Sequence, residues 1–410
     1  MHILFISQYF PPEMGAPAAR AYELSRYWVR RGHRVTVVTG APNHPTGVLY
    51  EGYRNRFVQR ERIDGIDVIR VYVYLAPNKG FFKRILNYLS FMATSSVVAS
   101  CSTGRCDVVL ATSPQFFTAV SGYIVSKMKG RPFIFEVRDL WPKSIVALGA
   151  LKNPWLIRWL EKVELFLYRH ATHIVGTVDG IKADLVKRGI EEEKISLIPN
   201  GVDLELFRPY NKGGILRHRY GLMDWFIVSY IGTHGLAHAL DKVLLAAETL
   251  KQERIAFVFI GEGAEKGRLV RMKQERGLNN VFFMERQPRE RIPLLIADSD
   301  VCLVSLRKDK FFFYALPSKM LEIMACGRPV ILSANGESRA LLEKADAGVW
   351  VGAEDPGLLA DGILKLYGNP DFCKRLGDNG RRFVQTHFDR QTFAFAYEEV
   401  LEHEVKRPVC

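Results

Sequence analysis

The stretch FIVSYIGTHGLAHALDKVLLAAETLKQERIAFVFIGEG, residues 226–263, contains two apolar runs with a helical pattern between them. The runs at 226–232 and 255–263 are short and rich in β-branched and aromatic residues, and residues 241–252 favour a helix. Continuous apolar runs, as opposed to alternating ones, are typical of parallel strands that are covered on both faces. The stretch therefore predicts a strand–helix–strand unit of an α/β domain.

The same alternation of apolar runs and helical stretches occurs in two series along the chain. The predicted strands are 1–9, 33–40, 107–113, 132–137 and 172–178 in the first series, and 226–232, 255–263, 281–285, 301–306 and 328–333 in the second. Two such series predict an α/β fold of two Rossmann-like, doubly wound domains. A ligand is then expected at the carboxyl ends of the strands, in the cleft between the domains.

The length of 410 residues also favours two domains over a single core. Pro209 and the NKGG sequence that follows it supply turn residues for a boundary. We expect an N-terminal domain over residues 1–207 and a C-terminal domain over residues 208–390. A final helix over residues 391–410 is expected to pack back toward the first domain.

The formal net charge of +13 suits an anionic membrane surface, a polyanionic substrate or nucleic acid. No zinc-finger, RRM, KH or helix-turn-helix signature is present in the sequence, so nucleic acid is not expected as a partner. The six cysteines lack metal-binding spacing and several lie in apolar runs, which predicts reduced thiols in a cytosolic protein. The sequence begins directly with a predicted strand and without the pattern of a secretion signal.

Residues 78–100 form an apolar and aromatic segment with Lys79, Lys83 and Arg84 at its front. A helix that spans a bilayer needs about 20 strongly apolar residues, and the polar residues here argue against a span. One interpretation is a helix at an anionic membrane surface, with the basic residues 79–84 near the headgroups. The other is an ordinary helix that packs on the first domain.

Three glycine-containing turns follow predicted strands. Gly15 follows the first strand, Gly232 and Gly235 end the first strand of the second series, and Gly261 and Gly263 follow the next one. Such turns let backbone N–H groups approach an anion, although many are glycine for geometry alone. None of the three matches a P-loop or a dinucleotide-binding fingerprint.

The segment YALPSKMLEIMACGRPV, residues 314–330, has the pattern of a helix that begins at an anion. Ser318 is the expected N-cap and Gly327 the expected C-terminal stop. The helix N-terminus and Lys319 suit a diphosphate, and Glu322 lies on the same face as Ser318, where a carboxylate can accept from two ribose hydroxyls. The alternatives are that Ser318 only caps the helix and that Glu322 only pairs with a cation.

With these segments in view, the chain resembles the retaining GT-B glycosyltransferases of family four over essentially its whole length. The segments that carry the resemblance are YFPPEMGAPAARAYELSRYWVRRGHRVTVVTGAPNHPTG (9–47), EVRDLWPKSIVALG (136–149), IPNGVDLELF (198–207), YIGTHGLAHALD (230–241) and PSKMLEIMACGRPVI (317–331). The most similar subgroup builds bacterial O-antigen, capsule and exopolysaccharide repeats and includes fucosamine-type transferases that act on lipid-linked acceptors. The resemblance implies a nucleotide-sugar donor held mainly by the C-terminal domain, an acceptor held by the N-terminal domain, and retention without an essential metal or other cofactor.

The resemblance also assigns residues to the donor. The ribose-binding glutamate corresponds to Glu322, and Tyr314 stands where many relatives carry another glutamate. The phosphate-contacting helix start corresponds to Pro317, Ser318, Lys319 and Met320. The other candidate donor contacts are Gly15, Ala16, Gly232, Thr233, His238, Gly261, Gly263, Arg286 and Gln287.

Two further positions depart from the family pattern. Thr233 and His238 stand where many relatives carry an arginine and a lysine that neutralise the diphosphate. We therefore expect Lys319 to supply this charge, together with His234 or His238.

The acceptor side offers Glu136, Arg138 and Asp139, where relatives often carry a histidine. Asp139 is expected to orient an acceptor hydroxyl, and Arg138 to face a phosphate. The alternative is that Arg138 and Asp139 form a structural ion pair, which is common at strand ends.

The expected reaction transfers an N-acetylated hexose or deoxyhexose, from UDP by subgroup resemblance, to a polyprenyl-diphosphate-linked glycan. It belongs to bacterial surface polysaccharide synthesis in the cytoplasm, at the inner face of the membrane. Charge on the leaving diphosphate is stabilised by the helix dipole, turn N–H groups and Lys319, and the attacking hydroxyl gives its proton to the departing phosphate oxygen. The alternatives are an inactive nucleotide-sugar-binding scaffold and a sugar-nucleotide 2-epimerase.

Overall fold

The computed structural model of the protein describes residues 1–13, 15–77, 81–113, 116–147 and 151–407. Lys79, and Cys410 among the six cysteines, lie outside the described residues. The chain divides into two compact units, residues 1–200 with 391–410 and residues 201–390. The junction precedes the one predicted after residue 207, because Val202 pairs with Asp389 and Phe207 is fully buried in a hydrophobic cluster of the second unit.

The first unit is an eight-stranded sheet with helices on both faces. Its elements are β1 His2–Ile6, α1 Ala16–Arg30, β2 Arg34–Gly40, β3 Val58–Ile63, β4 Ile66–Val71, α2 Phe81–Ser102, β5 Val108–Thr112, α3 Phe117–Lys129, β6 Phe133–Val137, α4 Lys143–Ala147, α5 Pro154–His170, β7 His173–Gly176, α6 Asp179–Lys187 and β8 Ile195–Leu197. The strand order is β3-β4-β2-β1-β5-β6-β7-β8, and only β3 runs antiparallel to its neighbour.

The hairpin of β3 and β4 is absent from the sequence prediction. β3, VQRERI, is an edge strand whose side chains alternate between half-buried and exposed. Because one face of an edge strand is solvated, its sequence lacks the continuous apolar run that marks the central strands. The short strand β8 has only three residues.

The second unit is a six-stranded sheet in which all strands run parallel. After residue 200 its elements are α7 Ile215–Tyr220, β9 Phe226–Ile231, α8 Leu240–Thr249, β10 Ile255–Ile260, α9 Lys266–Glu275, β11 Val281–Met284, α10 Ile292–Asp298, β12 Val301–Ser305, α11 Ser318–Ala325, β13 Val330–Ser333, α12 Glu337–Ala345, β14 Gly348–Trp350, α13 Pro356–Tyr367 and α14 Pro370–His387. The strand order is β11-β10-β9-β12-β13-β14. Together the two sheets confirm the prediction of two Rossmann-like α/β units.

The carboxyl ends of β9, β10 and β11 are in register. Ile260 is paired with Ile231 on one side and with Met284 on the other. The turns that follow these strands therefore emerge together at one edge of the sheet, where ligands of doubly wound folds bind.

Helix α11 begins one residue earlier than predicted. Pro317 is its N-cap, with an extended backbone, and Ser318 is the first helical residue. The prediction of Ser318 as the N-cap is therefore wrong, and no side chain caps this helix. Gly327 has a φ of +69° and ends the helix as predicted.

The last helix, α15 Arg390–Lys406, belongs almost entirely to the first unit. Trp28 of α1 donates its indole N–H to the carbonyl oxygen of Ala394 at 3.2 Å. Tyr397 is fully buried in a hydrophobic cluster that also contains Trp28.

Helix α2 is packed into the first unit by polar contacts as well as apolar ones. Asn87 accepts a bond from Gln8 at 2.6 Å, and the hydroxyls of Ser95 and Ser121 on α3 lie 2.9 Å apart. Among the described residues, the stretch Phe82–Ser102 alone has the length and composition of a membrane span. Its buried hydrogen bonds to the rest of the unit identify it as a helix of the α/β layer, with one side left exposed.

A buried ion pair joins α1 to the centre of the first sheet. Arg20 Nε donates to Glu136 Oε2 at 3.0 Å, and both side chains are almost completely buried. The guanidinium also donates to the carbonyl oxygens of Pro199 and Ile198, and Thr112 donates to Glu136 Oε1 at 2.7 Å. Glu136, next to the predicted acceptor residues, is thus held in a structural network.

Replacement of Glu136 by glutamine leaves the Arg20 guanidinium buried without its counter-charge. We expect Glu136→Gln to lower the free energy of unfolding by about 3 kcal/mol, the usual cost of breaking a buried pair from one side. Urea unfolding followed by tryptophan fluorescence measures this difference.

The matched control is Asp67→Asn, since Asp67 pairs with Arg34 at the surface, where the expected change is below about 1 kcal/mol. An equal, small effect of both substitutions would contradict a structural role for the buried pair.

Candidate functional site

The turns after β9 and β10 pack backbone against backbone. The N–H groups of Gly232 and His234 donate to the carbonyl oxygens of Ile260 and Glu262, each at 2.9 Å. A Cβ atom on Gly261 would lie 2.0 Å from the Gly232 oxygen, and one on Gly263 would lie 2.3 Å from the His234 oxygen. Gly261 and Gly263 are therefore required by this close approach alone, independently of a ligand.

The side chain of Lys319 extends from the first turn of α11 over the end of β9. Its ammonium nitrogen lies 3.9 Å from the ring centroid of Tyr230, within cation–π distance. A Cβ atom on Gly232 would lie 2.5 Å from the same nitrogen. The absence of a side chain at Gly232 is what makes room for the lysine.

The ammonium of Lys319 has no hydrogen-bond acceptor in the part of the chain that the structure describes, although its nitrogen is buried. Burial lowers the pKa of Lys319 from 10.5 to about 7, against an opposing effect of Glu322. A buried cation without an anion is unfavourable, so this arrangement favours the binding of a negatively charged group.

His234 and His238 flank this lysine. His234 is fully buried beside Phe259 and Phe283, and neither of its ring nitrogens has a hydrogen-bond partner among the described residues. Burial, with the charges of Lys266 and Lys319, lowers its pKa to about 4.

His238 Nδ1 lies 3.2 Å from the carbonyl oxygen of Ser305, to which it can donate. Burial and Lys319 lower the pKa of His238 to about 3. Both imidazoles are thus neutral at neutral pH, and the expectation that His234 or His238 supplies positive charge is wrong for this state of the protein. They can still donate neutral hydrogen bonds.

Thr233 completes the turn and lies on the surface. Its carbonyl oxygen accepts a hydrogen bond from the Tyr230 hydroxyl at 2.8 Å, which fixes the ring beneath Lys319. Lys266, which the sequence analysis missed, donates to the Gly261 oxygen at 3.2 Å and to Glu262 at 2.5 Å. Its charge is therefore already paired within the second turn.

Glu322 lies one turn beyond Lys319 and is paired with Arg289. Arg289 Nη1 lies 3.0 Å from Glu322 Oε1, and the glutamate side chain is 13% exposed. The Arg289 guanidinium also lies 4.9 Å from the centroid of the Phe207 ring. Sequence reasoning considered a cation for Glu322 but did not find Arg289, which lies in the turn region after β11 and far away in sequence.

The segment before α11 places aromatic residues at the surface. Tyr314 ends a short 3-10 helix, Lys310–Tyr314, and is 52% exposed. Gly336, with a φ of +79°, packs against the backbone of Phe313, where a Cβ atom would lie 2.0 Å from its oxygen. Pro317 supplies the extended start of α11.

Met320 is fully buried in the core, so only its backbone can contribute to a site. Its N–H donates to the Pro317 oxygen at 3.0 Å, within the first turn of α11. Arg286 and Gln287 follow β11 at the same edge of the sheet, and the Gln287 side chain accepts a bond from Arg291.

In the first unit, Gly15 has a φ of +126° and is the N-cap of α1, which Ala16 begins. Ser113 Oγ accepts from the backbone N–H of Arg138 at 2.7 Å and, less closely, from that of Asp139 at 3.4 Å. Asp139 is exposed in part. Desolvation by the surrounding protein raises the pKa of its carboxyl, and the charge of Arg138 opposes this shift. Both residues of the predicted acceptor pair thus lie at the end of β6.

A pocket that the sequence analysis missed lies at the carboxyl ends of β1, β2 and β4. Its lining consists of Tyr9, Asn43, His44, Ala76, Pro77, Arg84, Asn87 and Tyr88. Arg84 donates to the Tyr88 hydroxyl at 3.1 Å, so it lines this pocket while Lys83 is exposed. The lining residues are distributed over three turns and one helix, which no local sequence motif connects.

Glu13 holds the backbone of two residues that line this pocket. Its Oε1 accepts from the backbone N–H groups of Asn43 and His44, both at 2.9 Å. Burial raises the pKa of Glu13 to about 7, against these hydrogen bonds. The carboxyl fixes the turn that follows β2.

Within the described part of the chain, one group of side chains has the composition of a metal site: His33, Glu398 and Glu402 in the first unit. His33 Nε2 lies 2.8 Å from Glu398 Oε1, and Lys406 donates to Glu402 at 3.2 Å. Protein groups already satisfy these side chains.

The chain is similar to known proteins in both units. Residues 15–201 match the family model of the glycosyl transferase 4-like domain, and residues 221–383 match that of the glycosyl transferases group 1. The WcaI protein of Escherichia coli K12, whose name assigns it to colanic acid biosynthesis as a glycosyl transferase, is 26% identical over 343 residues. The match covers 82% of this chain and 83% of WcaI.

Two solved structures share the fold. Sucrose-phosphate synthase from Thermosynechococcus elongatus has a TM-score of 0.76 at 20% identity, with 98% of each chain covered. Anabaena HepE in complex with UDP and glucose has a TM-score of 0.72 at 19% identity, with 98% of this chain and 99% of HepE covered.

The burial of Lys319 has a consequence for stability. Between pH 7 and 10.5 the unfolded chain holds a proton on this lysine that the folded chain lacks, so the lysine makes stability rise with pH. Lys319→Met removes this slope. We expect the variant to be more stable than the natural protein at pH 6.5, and the difference to shrink as the pH rises above 7, by nearly 1.4 kcal/mol per pH unit, as a rough value, between pH 8 and 9.

Urea unfolding at several pH values measures the difference. Lys266→Met is the control, since it removes a neighbouring lysine that is paired with Glu262. A difference that stays constant with pH would show that Lys319 is charged and compensated in the folded protein.

Proposed function

The chain belongs to the glycosyltransferases that join a glycosyl transferase 4-like domain to a group 1 domain, and we propose that it is a retaining enzyme that uses a UDP-sugar. The two units and the solved structures confirm the predicted GT-B fold. The proposed acceptor is a lipid-linked glycan of bacterial surface polysaccharide synthesis, of the polyprenyl-diphosphate type. The proposed sugar is an N-acetylated hexose or deoxyhexose.

The buried ammonium of Lys319 is the observation that carries the proposal. It lies at the carboxyl end of β9 and at the N-terminus of α11, where the Ser318 and Lys319 N–H groups begin a helix. A donor diphosphate would supply the anion for this ammonium, for which the described residues offer no acceptor. That UDP is bound by HepE, whose fold is the same, supports a uridine nucleotide.

The same groups act on the departing diphosphate. As the anomeric C–O bond breaks, negative charge grows on the phosphate oxygen, and a preorganised cation and helix N-terminus stabilise it. His234 and His238 contribute as neutral donors because their pKa values lie well below 7. Lys319 thus takes the place of a metal ion as counter-charge in the proposed mechanism.

Glu322 is proposed to accept from the ribose hydroxyls, with Arg289 as a positioning residue that holds Oε1. The exposed ring of Tyr314 offers an apolar face to the sugar. The attacking hydroxyl approaches on the side of the leaving group and gives its proton to the departing oxygen, so no protein base is required. Retention at the anomeric carbon follows from this same-side attack.

The acceptor is proposed to bind to the first unit. Arg138 and Asp139 offer one charged group and one carboxyl at the end of β6, and the pocket with Arg84, His44 and Tyr88 offers further polar contacts. We place the protein at the cytoplasmic face of the membrane, where anionic headgroups attract its basic surface.

Binding of UDP is expected to take up a proton at pH 8. Free Lys319 is mostly neutral there, and a diphosphate beside it restores its usual pKa, so the uptake approaches about one proton per site. Calorimetry in two buffers with different ionisation enthalpies measures the number.

In Lys319→Met we expect the proton uptake to be lost. The Kd for UDP is expected to rise by at least about tenfold. The control is the exposed Lys344→Met, which leaves both unchanged. Tight UDP binding by Lys319→Met would overturn the role of the lysine.

Turnover tests the function itself. With UDP-N-acetylhexosamines and a polyprenyl-diphosphate-linked sugar, we expect a glycosidic product whose anomeric configuration, read by NMR, is that of the donor. Glu322→Ala is expected to raise the KM for the donor more than it lowers kcat, because ribose contacts are made in both states.

Binding of nucleotide sugars without any product would instead identify a scaffold, and inversion at C2 of the sugar an epimerase. Inversion at the anomeric carbon would contradict the proposed same-side attack.

A further inference from the structure

The outer side of α5 consists of aromatic and basic residues. Trp155 is 70% exposed and Trp159, one turn later, is 48% exposed. After Pro154, the exposed residues of this helix are Trp155, Arg158, Trp159, Lys162, Phe166, Arg169 and His170. No acidic residue of α5 is among them, since Glu161 is half-buried and Glu164 is buried against Tyr168 and Arg188.

Two neighbouring helices continue this surface. Tyr123 of α3 contacts Phe166 of α5 with ring centroids 5.2 Å apart, and α3 exposes Lys127 and Met128. Helix α2 packs on α3 through its inner face. Its outer face is an apolar stripe with a spacing of three or four residues, formed by Phe82, Leu86, Leu89, Ala93 and Val97.

The charges of this surface have one sign. Helices α2 and α3 contain no acidic residue, and Lys83 lies beside the stripe at the start of α2. Soluble proteins rarely leave two adjacent tryptophans and a long apolar stripe in water. A partner that covers them must combine a negative surface with an apolar interior.

From these observations we propose that the outer face of α2, α3 and α5 is the surface by which the protein rests on an anionic lipid bilayer, with Trp155 and Trp159 of α5 as its anchors. Tryptophan favours the level of the lipid headgroups, where its ring is buried and its N–H remains hydrated. Arg158, Lys162 and Arg169 then meet the phosphates, and the stripe of α2 lies against the acyl boundary.

A bilayer explains the combination better than the other partners. Nucleic acid would use the basic residues and aromatic rings of α5 but would leave the uncharged stripe of α2 exposed. Insertion of α2 alone as a span would break its hydrogen bonds with Gln8 and Ser121. The inference rests on the proposed function in one respect, because a lipid-linked acceptor is what makes such a surface useful.

The test compares the double variant Trp155→Ala/Trp159→Ala with the natural protein in sedimentation with vesicles of phosphatidylcholine, with and without phosphatidylglycerol. We expect the natural protein to bind the anionic vesicles, and the double variant to bind them on the order of tenfold more weakly, since two aromatic rings no longer enter the interface. The matched control is Phe395→Ala, an exposed aromatic residue of α15, which is expected to bind as the natural protein does.

Tryptophan fluorescence gives a second measurement. Lipids brominated near the headgroup are expected to quench the emission of the natural protein, and this quenching is expected to disappear in the double variant. Because both side chains are exposed, thermal unfolding of the variant should match that of the natural protein.

Equal vesicle binding by the double variant, or unquenched emission of bound natural protein, would overturn the proposal. If the natural protein were a dimer, the double variant a monomer, and neither bound vesicles, the surface would be assigned to a second copy of the chain. UDP binding separates the two proposals: vesicle binding without UDP binding would refute the proposed function alone, and UDP binding without vesicle binding would refute this surface alone.

Discussion

The buried ammonium of Lys319 is the constraint on which the proposed site depends. It lies on the ring of Tyr230, in space that Gly232 leaves open, and the structure describes no acceptor for it. The close backbone contacts of Gly261 and Gly263 fix the end of β9 and the turn after it, which carry Tyr230 and Gly232. Packing of two strand ends thus creates a position in which a cation is favourable only when an anion joins it.

In the proposed site, Lys319 supplies the positive charge at a turn where the family resemblance leads one to expect two other cations. Where many relatives are expected to carry an arginine and a lysine, this chain has Thr233 and His238, and Lys319 reaches the same turn from α11. The lysine also explains the state of the imidazoles, since its charge adds to burial in lowering the pKa values of His234 and His238.

The sequence predicted the architecture well because the central strands of a covered parallel sheet are continuous apolar runs. It missed β3 because an edge strand such as VQRERI alternates and is polar. It placed Lys319 and Glu322 correctly on α11, but the burial of the lysine and the pairing of Glu322 with Arg289 depend on segments that meet only in the fold. The aromatic and basic face of α5 escaped notice for the same reason, since a tryptophan in a sequence gives no sign of whether it is buried.

A crystal structure of the protein with bound UDP tests the central claim most directly. The account predicts a phosphate oxygen at hydrogen-bond distance, about 3 Å, from the Lys319 ammonium, with the ribose hydroxyls on Glu322. It is contradicted if UDP binds with its phosphates elsewhere while Lys319 remains on the Tyr230 ring without an anion.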